Sequence, residues 1–527
     1  MTSISERRRL AALFGAGLIV YGLAAGRIEA PGYMDAEYYF ATGLGLARGD
    51  GFTEPFVWNY LADPVGIPAP SHAYWQPLAT VLSALSILAF GPTFRGAQAL
   101  GVVLAASLAP LSARLAFSLG ARRGEAWIAG GLALAPGFFT PYFVTTDTFA
   151  LFAAIGGILL WQLDEAARTS AAWRWVGAGM LVGLGHLARA DGVLLWVAVL
   201  VALGASKRSR RRKLALSLAG YVALMLPWWV RNLGAFGALY DPGAARALWL
   251  LEYDELFAYP ASTLLTFARW WAAGPAALVG HRLAASAANL QSVLAVNGYV
   301  LLLPAMIVGG WLHRRSATVR AGAAFGMALL GAMTLVFPFA GARGGFFHSS
   351  AALMPLLWAL TSVGLGDLAS HMAPRLGWDA GRTRGLLAFV SMALAGGLST
   401  WVLAGKAGVI GEVESFSRAR DTYVRASEVL RSSGAEQALV AVIDPPGFHV
   451  ASGYPAIALP FGPESTLRDV AIRYGVDWVV LEWDHPRQLD RLYREPSASA
   501  WLCLTDTFDD PAGRPVRIFR VLDGEGS

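Results

Sequence analysis

The sequence predicts a polytopic α-helical membrane protein with about eleven transmembrane helices, additional juxtamembrane helices and a small C-terminal α/β domain. Three observations predict this fold class. The 527 residues are 55% hydrophobic and only 15% charged, which is far less charge than a soluble chain of this length carries. Long apolar segments alternate with clusters of basic residues up to residue 404. From residue 405 to residue 527 the composition becomes that of a soluble protein.

Each apolar segment of about 20 residues is a candidate membrane crossing. No small-residue cleavage pattern separates the first segment from the acidic residues that follow it, so we interpret this segment as a retained helix and not as a signal peptide. The predicted spans are 10–26, 95–119, 124–140, 147–163, 173–188, 190–206, 214–230, 290–312, 318–340, 346–366 and 385–404.

Basic clusters between the spans set the orientation, because cytoplasmic loops are enriched in lysine and arginine. About eleven crossings place every cluster in the cytoplasm and the C-terminal domain outside, as expected for a multi-pass protein of the inner or plasma membrane. The net charge of +6 comes largely from these clusters and does not indicate nucleic-acid binding. The clusters are Arg7 to Arg9, Arg122 with Arg123, Lys207 to Lys213, His313 to Arg320, and Arg375 to Arg384.

Two long external loops follow from this topology. The apolar stretch 76–90 is nearly long enough to span, but counting it would move the Lys207 to Lys213 run outside. We therefore predict a helix at the membrane surface within an external loop over 27–94. A second external loop covers 231–289. Its segments 245–255 and 264–271 have apolar and charged residues at helical spacing, which predicts interfacial helices that either wall a groove or simply anchor the loop.

The segment from residue 405 onward alternates predicted helices and strands, which indicates a small α/β domain. We expect a lid, an acceptor platform or a structural appendage. The Asp444-Pro-Pro-Gly447 stretch is interpreted as a turn. The predicted helices are 418–432 and 465–474, and the predicted strands are 438–444, 476–482 and 516–521.

An acidic pair follows the first span, in Pro31-Gly-Tyr-Met-Asp35-Ala-Glu37-Tyr-Tyr39. Carboxylates at the mouth of a membrane helix are costly to keep near lipid, so they indicate function. A structural alternative is that they cap an interfacial helix that starts near Ala36, because Asp is a good N-cap residue. Capping does not require the second acid or the paired tyrosines.

Other charged residues collect on the same outer face. Arg343 has the fork of donors that matches phosphate oxygens, although arginine also snorkels at interfaces. Arg95 and Arg231 lie at the outer ends of spans, where they bind phosphate or anchor the helix. Arg189 with Asp191 forms either part of the site or a local ion pair. The remaining candidates are Asp147, which is alternatively an N-cap residue, His348 and His72, which are alternatively structural, and Tyr38.

Several of these segments, in this order, resemble the GT-C superfamily of lipid-sugar-dependent glycosyltransferases, closest to the branch of protein O-mannosyltransferases and lipid A aminoarabinose transferases. The resemblance covers about residues 10–366. This chain departs from the family where Ala36 separates the two acids and where no lysine lies near Gln76. The similar segments are 31–39, Tyr74-Trp-Gln-Pro-Leu78, Thr145-Thr-Asp147, Leu187 to Gly192, Pro227 to Asn232 and Arg343 to Ser349.

The resemblance implies transfer of a sugar from a polyprenyl-phosphate donor to an acceptor hydroxyl on the extracytoplasmic face. By its place in the motif, Asp35 would be the general base. Glu37 would orient the acceptor or share a divalent ion with Asp147. Arg343 would stabilise the leaving phosphate, with Arg95, Arg231 and Arg189 as further clamps, while His348, His72 and Tyr38 complete the candidate substrate site. Metal candidates are Asp35, Glu37, Asp147 and His348; direct transfer would invert the anomeric carbon.

Two other functions remain open from the sequence. An oligosaccharide ligase or polymerase also needs external basic residues, but it usually takes a diphosphate donor. A transporter or flippase typically has internal repeats and midplane charges, whereas the charges here collect at one face. The expected partners are a lipid-linked sugar donor, a glycan, lipid or protein acceptor and membrane lipids, with no nucleic acid.

Overall fold

The computed structural model describes residues 4–169, 171–206, 209–411 and 413–522. Lys207 and Arg208, two residues of the third basic cluster, lie outside these ranges. Within the described residues, seven helices are long and apolar enough to cross a bilayer, or eight if one bent pair counts as a single span. Side chains such as Ile19, Leu23 and Phe389 are 66–70% exposed, as expected for helices that face lipid. The chain is a multi-pass membrane protein.

The N-terminal half contains long helices that pack at small residues. A Cβ at Gly17 would overlap the backbone of Ala106, and one at Gly179 would overlap the backbone of Ser217, so the backbones approach as closely as in small-residue membrane interfaces. The helices are α1 (Ile4–Arg27), α2 (Met34–Arg48), α3 (Leu78–Phe90), α4 (Phe94–Ser118), α5 (Arg123–Leu134), α6 (Phe149–Arg168), α7 (Trp173–Ala188), α8 (Leu195–Ala205) and α9 (Arg210–Phe236).

The helices in the second half of the membrane region are interrupted more often than those in the first half. Three short π-helical turns interrupt it, at Val293–Asn297, Ala332–Val336 and Gly341–Gly345. The helices are α10 (Ala261–Leu264), α11 (Phe267–Ala272), α12 (Gly274–Ser292), α13 (Leu303–Leu312), α14 (Ala317–Gly331), α15 (Pro338–Ala340), α16 (Phe346–Ser350), α17 (Met354–Leu376) and α18 (Ala380–Lys406).

Helical structure is present at every predicted span, but four of the predicted spans are not single long helices. The span 124–140 bends by 44° after α5, where Pro136 and Pro141 cannot continue a helix. The spans 173–188 and 190–206 correspond to α7 and α8, which have 16 and 11 residues. The span 290–312 breaks at Tyr299 and Val300, whose φ angles are positive, and Pro304 then opens α13.

The first long loop, over 27–94, contains the two helices α2 and α3, which pack against each other. Helix α3 has 13 residues, about 20 Å of rise, so it is too short to span and agrees with the surface helix that we predicted over 76–90. Between α2 and α3 lie three two-residue strands, β1 (Thr53–Glu54), β2 (Phe56–Val57) and β3 (Ala69–Pro70).

The second long loop, over 231–289, differs from the prediction. Instead of a continuous helix over 245–255, the chain forms two 3₁₀ segments, Pro242–Trp249 and Tyr253–Phe257. Helices α10 and α11 are also short and replace the predicted helix over 264–271. The Glu255 carboxylate holds this loop together, because it accepts hydrogen bonds from the backbone N–H of Leu251 at 2.7 Å and from the guanidinium of Arg269.

The C-terminal domain contains the predicted helices and strands, together with elements that the sequence did not indicate. The predicted elements are α19 (Ser417–Ser432), β4 (Val440–Val442), α21 (Glu464–Tyr474), β6 (Trp478–Leu481) and β8 (Pro515–Val521). The additional elements are α20 (Pro445–Ser452), β5 (Ala456–Ala458), α22 (Asp490–Arg494) and β7 (Leu502–Asp509).

A six-stranded sheet joins this domain to the first long loop. Its order is β2-β5-β4-β6-β8-β7. Strands β2, β5, β4 and β6 run parallel to one another, while β8 pairs antiparallel with both β6 and β7. Strand β2 belongs to the loop over 27–94 that the sequence assigned to the membrane domain, and it pairs Phe56 with Ala456 and Val57 with Ile457. The two parts of the chain therefore share one sheet.

Candidate active site

Asp35 lies in the first turn of α2, at the face where the first loop meets the membrane helices. The helix begins at Met34, and its N-cap residue is Tyr33, which makes no side-chain capping bond. The acids therefore do not cap a helix that starts near Ala36. Because Asp35 and Glu37 are two residues apart on a helix, their side chains leave α2 in different directions.

Asp35, Asp147 and His348 come together from three distant segments. One side-chain ligand atom of each lies within 4.8 Å of the others. Asp147 immediately precedes α6, and Thr148 is the N-cap residue of that helix. The carboxylate of Asp147 accepts hydrogen bonds at Oδ1 from the backbone N–H of Thr148 at 2.5 Å and at Oδ2 from the hydroxyl of Tyr33 at 2.9 Å. These bonds fix its direction.

His348 lies in α16, directly after the kink at Gly344, whose φ is 120°. Its Nδ1 atom is 3.3 Å from Oδ2 of Asp147, yet this buried nitrogen has no hydrogen-bond partner among the described residues. A buried nitrogen beside two carboxylates is a donor set that Mg²⁺, Mn²⁺ and Zn²⁺ accept. The residues therefore fit a divalent cation held by Asp35, Asp147 and His348.

The cation nearest to these carboxylates is Arg189. Its Nε donates hydrogen bonds to Oδ1 of Asp191 at 3.1 Å and to Oγ of Ser349 at 2.9 Å. Its Nη1 lies 3.4 Å from Oγ1 of Thr148. The local ion pair with Asp191 therefore forms, and it also brings the guanidinium to the segments that carry Asp147 and His348.

The pKa of Asp35 differs from that of an ordinary aspartate. Burial and then the charge of Asp147 raise the pKa of Asp35 to about 8, and the guanidinium of Arg189 acts against this rise. Burial and then the charge of Asp35 raise the pKa of Tyr74, in the first loop, to about 12. A carboxyl that holds its proton into the neutral range is a basic carboxylate once it has lost that proton.

Glu37 does not join Asp35 and Asp147. Its carboxyl lies against that of Asp444, which follows β4 in the C-terminal domain, and burial with the charge of Asp444 raises the pKa of Glu37 well above its ordinary value. The contact is close because residue 447 is glycine: a Cβ there would overlap the Glu37 carboxyl and lie 3.0 Å from Oδ2 of Asp444. Glu37 therefore links α2 to the C-terminal domain.

Arg343 is exposed and borders the site from the side of the second loop. Its guanidinium carbon lies 4.9 Å from the ring centre of Tyr253. Burial and the charge of Asp35 both raise the pKa of Tyr253. Tyr253 therefore lies close to Arg343 and within reach of the charge of Asp35.

Four other predicted site residues form hydrogen bonds within the protein. Arg231 donates to the carbonyl oxygen of Phe52 at 2.8 Å, and Arg95 lies 3.3 Å from the carbonyl oxygen of Gly26. Both ring nitrogens of His72 are bonded, to Ser71 at 2.7 Å and Thr80 at 2.9 Å. Tyr38 is fully buried and donates to Oε2 of Glu54 at 2.7 Å. These four residues hold the first loop and the helix ends in place.

A shallow cleft lies beside Tyr74 and Tyr253. It is lined largely by apolar side chains of the second loop and of the segment 336–340, together with Tyr74, Tyr253 and Arg282. Such a wall suits a hydrocarbon chain, and the charge of Asp35 acts on both tyrosines.

Three residues of this region were not among the predicted site residues. Tyr33 and Ser349 lie within the sequence segments that carried the resemblance, so their hydroxyl groups beside the acids were a usable signal. Asp444 was interpreted as part of a turn. No local pattern connects it to Glu37, because the contact depends on the pairing of β2 with β5.

Comparison with solved structures gives high-probability matches over most of the chain. The archaeal oligosaccharyltransferase AglB from Archaeoglobus fulgidus, in complex with an inhibitory peptide and a dolichol-phosphate, has a TM-score of 0.59 at 13% identity, covering 91% of this chain and 70% of that one. ArnT from Cupriavidus metallidurans bound to undecaprenyl phosphate has a TM-score of 0.58 at 13% identity, covering 98% and 99%. The fold is that of the GT-C glycosyltransferases.

The GT-C resemblance that the sequence predicted is confirmed at the level of the fold. The arabinofuranosyltransferase AftD from Mycobacteria also matches, with a TM-score of 0.50 at 15% identity, covering 98% of this chain and 42% of that one. No protein-family model matches the sequence, and no curated protein sequence matches it. The GT-C fold is therefore recognised from structure, over both the membrane region and the C-terminal domain.

Proposed function

We propose that this protein is a glycosyltransferase that moves a sugar from a polyprenyl-phosphate donor to an acceptor hydroxyl on the extracytoplasmic face of the cell membrane. The observation that carries the proposal is the convergence of Asp35, Asp147 and His348 within 4.8 Å, with Arg189 bonded to the segments that present them. The proteins that share the fold at TM-scores of 0.50 to 0.59 are glycosyltransferases.

The chemistry assigned to the site requires a base and cations. Asp35 accepts the proton of the acceptor hydroxyl. The hydroxyl oxygen forms a bond to the anomeric carbon while the bond from that carbon to the phosphate oxygen breaks. Polyprenyl phosphate leaves with the electron pair, and the anomeric carbon is inverted. Asp35 suits the role of base because it is only partly buried, so an acceptor can reach it.

Positive charge must meet the departing phosphate. Arg189 is held near the carboxylates by Ser349 and Asp191, while Arg343 is exposed above Tyr253. Guanidinium groups match phosphate oxygens in geometry, and they stabilise a developing negative charge most strongly where water is excluded. A divalent cation held by Asp35, Asp147 and His348 would supply further charge stabilisation to a phosphate oxygen.

An apolar cleft provides a surface for the hydrocarbon chain of the donor. The cleft lined by the second loop and the segment 336–340 is apolar, and the charge of Asp35 acts on its Tyr74 and Tyr253. A polyprenyl chain lying there would bring its phosphate to Arg343 and its sugar to the acids. The structures of AglB and ArnT that share the fold contain dolichol-phosphate and undecaprenyl phosphate, respectively.

A transfer assay tests the proposal. The purified protein in lipid nanodiscs is incubated with polyprenyl-phosphate-linked hexoses and pentoses that carry a radiolabel, together with membrane extract as a source of acceptors. The wild type should move label into the lipid, glycan or protein fraction. Asp35→Asn should lose at least about a hundredfold in rate, whereas Asp50→Asn, a change at an exposed carboxylate of the same loop, should not. Failure of the wild type to consume any donor would contradict the proposal.

A further inference from the structure

The carboxyl edge of the C-terminal sheet has the topology of a ligand site. From β4 the chain passes to β5 on one side and then to β6 on the other side of β4. In open sheets with parallel strands, ligands bind beyond the carboxyl ends of the strands at the point where the strand order reverses. Here that point lies between β4 and β6. Asp444 follows β4 there, and Glu482, Trp483 and Asp484 follow β6.

Four carboxyl groups surround one buried hydroxyl at this edge. The charges of Glu482, Asp444, Asp484 and Glu37 all act on Tyr423, in that order of strength after burial, and they raise its pKa well above the ordinary value. Glu37 reaches the edge from α2 and the other three carboxyls from the sheet. The active-site loop and the C-terminal domain therefore both contribute to this crevice.

One carboxyl oxygen at this edge is buried without a partner. Glu482 is 8% exposed, and among the described residues its Oε1 atom has no hydrogen-bond partner. An unsatisfied buried acceptor costs about 1–3 kcal/mol, so this oxygen favours a ligand that brings a hydrogen-bond donor. The Glu37 carboxyl instead packs against Asp444 and Gly447.

An aromatic platform borders the same crevice. Trp483 is 47% exposed. The guanidinium carbon of Arg514 lies 4.2 Å from the ring centre of Trp483, and Arg514 is itself held by Asp510 at 2.9 Å. The guanidinium carbon of Arg418 is 5.9 Å from the same ring, and its charge also acts on Glu482. Arg418 therefore connects the ring to the buried carboxyl.

The chemistry of this crevice selects a class of ligand. A divalent cation requires several ligand atoms within one coordination sphere. Within the described part of the chain, only Asp35, Asp147 and His348 form such a group of three. Separated carboxyl acceptors, guanidinium donors and a half-exposed tryptophan instead match a ring that carries spaced hydroxyl groups and an apolar face.

We propose that the crevice between β4 and β6 is a binding site for a neutral saccharide, with a hydroxyl group donating to Glu482 and a sugar ring packing on Trp483. The proposal rests on the proposed function in one respect, because it makes this saccharide the acceptor glycan. The crevice lies beside α2, which carries Asp35. A glycan bound here extends from the C-terminal domain towards the base.

Binding can be measured without catalysis. The full-length protein in nanodiscs is examined by saturation-transfer difference NMR with neutral tetra- to hexasaccharides of hexoses and pentoses, and with no donor present. At least one of these saccharides should give a difference signal with the wild type. That signal should fall at least fivefold in Trp483→Ala and in the milder variant Asp484→Asn. It should persist in Trp378→Ala, a change at an equally exposed tryptophan between α17 and α18.

The result separates this proposal from the proposed function. Asp35→Asn should bind the saccharide as the wild type does, even where transfer is abolished. Absence of a signal for every saccharide with the wild type, or an unchanged signal in both Trp483→Ala and Asp484→Asn, would overturn the saccharide site and leave the transfer reaction untouched. Displacement of the bound saccharide by a lysine-rich peptide at equal concentration would also overturn it, because the carboxyls would then be a cation-binding surface.

Discussion

The Nδ1 atom of His348 lies 3.3 Å from Oδ2 of Asp147, and it forms no hydrogen bond with any described residue. The same carboxylate oxygen accepts a hydrogen bond from the hydroxyl of Tyr33 at 2.9 Å. A buried nitrogen is rarely left without a partner. Together with Asp35, these side chains form a group of three that could hold a metal ion.

The first prediction concerns metal binding. Titration with Mn²⁺ should raise the thermal midpoint of the wild type, because an ion that binds only the folded state stabilises it by about 2.7 kcal/mol at a hundred times its Kd. His348→Asn and Asp147→Asn should lose most of that rise. His371→Asn is the matched control, because His371 is 65% exposed at its side chain and lies outside the site. Equal rises in the wild type and in His348→Asn would argue against this metal site.

The second prediction concerns Arg189. Its replacement by alanine removes the cation that Ser349 and Asp191 hold beside the carboxylates. We expect kcat for sugar transfer to fall by on the order of a hundredfold, as when one preorganised donor is lost. Arg174→Ala provides the control, since Arg174 is at the other end of α7, where it pairs with Glu165 at 3.4 Å. A fall of less than threefold in Arg189→Ala would mean that the ion pair with Asp191 is only structural.

The third prediction tests the contact between the first loop and the C-terminal domain. In Gly447→Ala the new methyl group overlaps the carboxyl of Glu37, so the helices α2 and α20 must separate. Overpacking of this kind costs about 1–3 kcal/mol. The thermal midpoint should fall, and transfer should slow because α2 also carries Asp35. Gly396→Ala, in α18, has no atom within 4 Å of its new Cβ and should leave both properties unchanged.

The fourth prediction concerns acid stability. Burial and then the charge of Arg231 lower the pKa of His72 to about 3, whereas an unfolded histidine titrates near 6.5. Between these values the unfolded chain binds more protons than the folded one, so the contribution of His72 is complete above about pH 6.5 and is lost as the pH falls towards 3. The loss amounts to about 1.4 kcal/mol per pH unit.

The measurement is the thermal midpoint between pH 7 and pH 5. His72→Gln, which does not titrate, should have a smaller pH dependence than the wild type, whatever its midpoint at pH 7. His371→Gln should keep the wild-type slope, because the ring of His371 is largely exposed. An unchanged slope in His72→Gln would show that other groups cause the acid destabilisation.

The features that the sequence predicted well are local ones. The acid pair at 35 and 37, the surface helix over 76–90 and the main helices of the C-terminal domain follow from composition and spacing, which depend on neighbouring residues. Helix α3 and the helices α19 and α21 begin and end within one or two residues of their predicted bounds. Such segments carry their own hydrophobic and capping signals.

The features that could not be predicted from the sequence depend on contacts between distant residues. Nothing near Phe56 and Val57 identifies them as a strand, because they form one only by pairing with Ala456 and Ile457. The break at Tyr299 and Val300 needs positive φ angles that non-glycine residues rarely adopt, so an apolar run through 290–312 predicts a continuous span instead. The sequence predicts that Glu37 orients the acceptor or shares an ion with Asp147, because sequence proximity to Asp35 gives no direction for its side chain; in the structure its carboxyl lies against Asp444.

Release of polyprenyl phosphate is the measurement to make first. The wild type, Asp35→Asn and Asp50→Asn, each purified in nanodiscs and confirmed as folded by its thermal midpoint, are mixed with a labelled polyprenyl-phosphate sugar and an acceptor fraction. The wild type and Asp50→Asn should release polyprenyl phosphate in equal amount to the sugar transferred, while Asp35→Asn should release almost none. Equal release by Asp35→Asn and the wild type would contradict the assignment of the base, and an intact donor in every sample would contradict the glycosyltransferase.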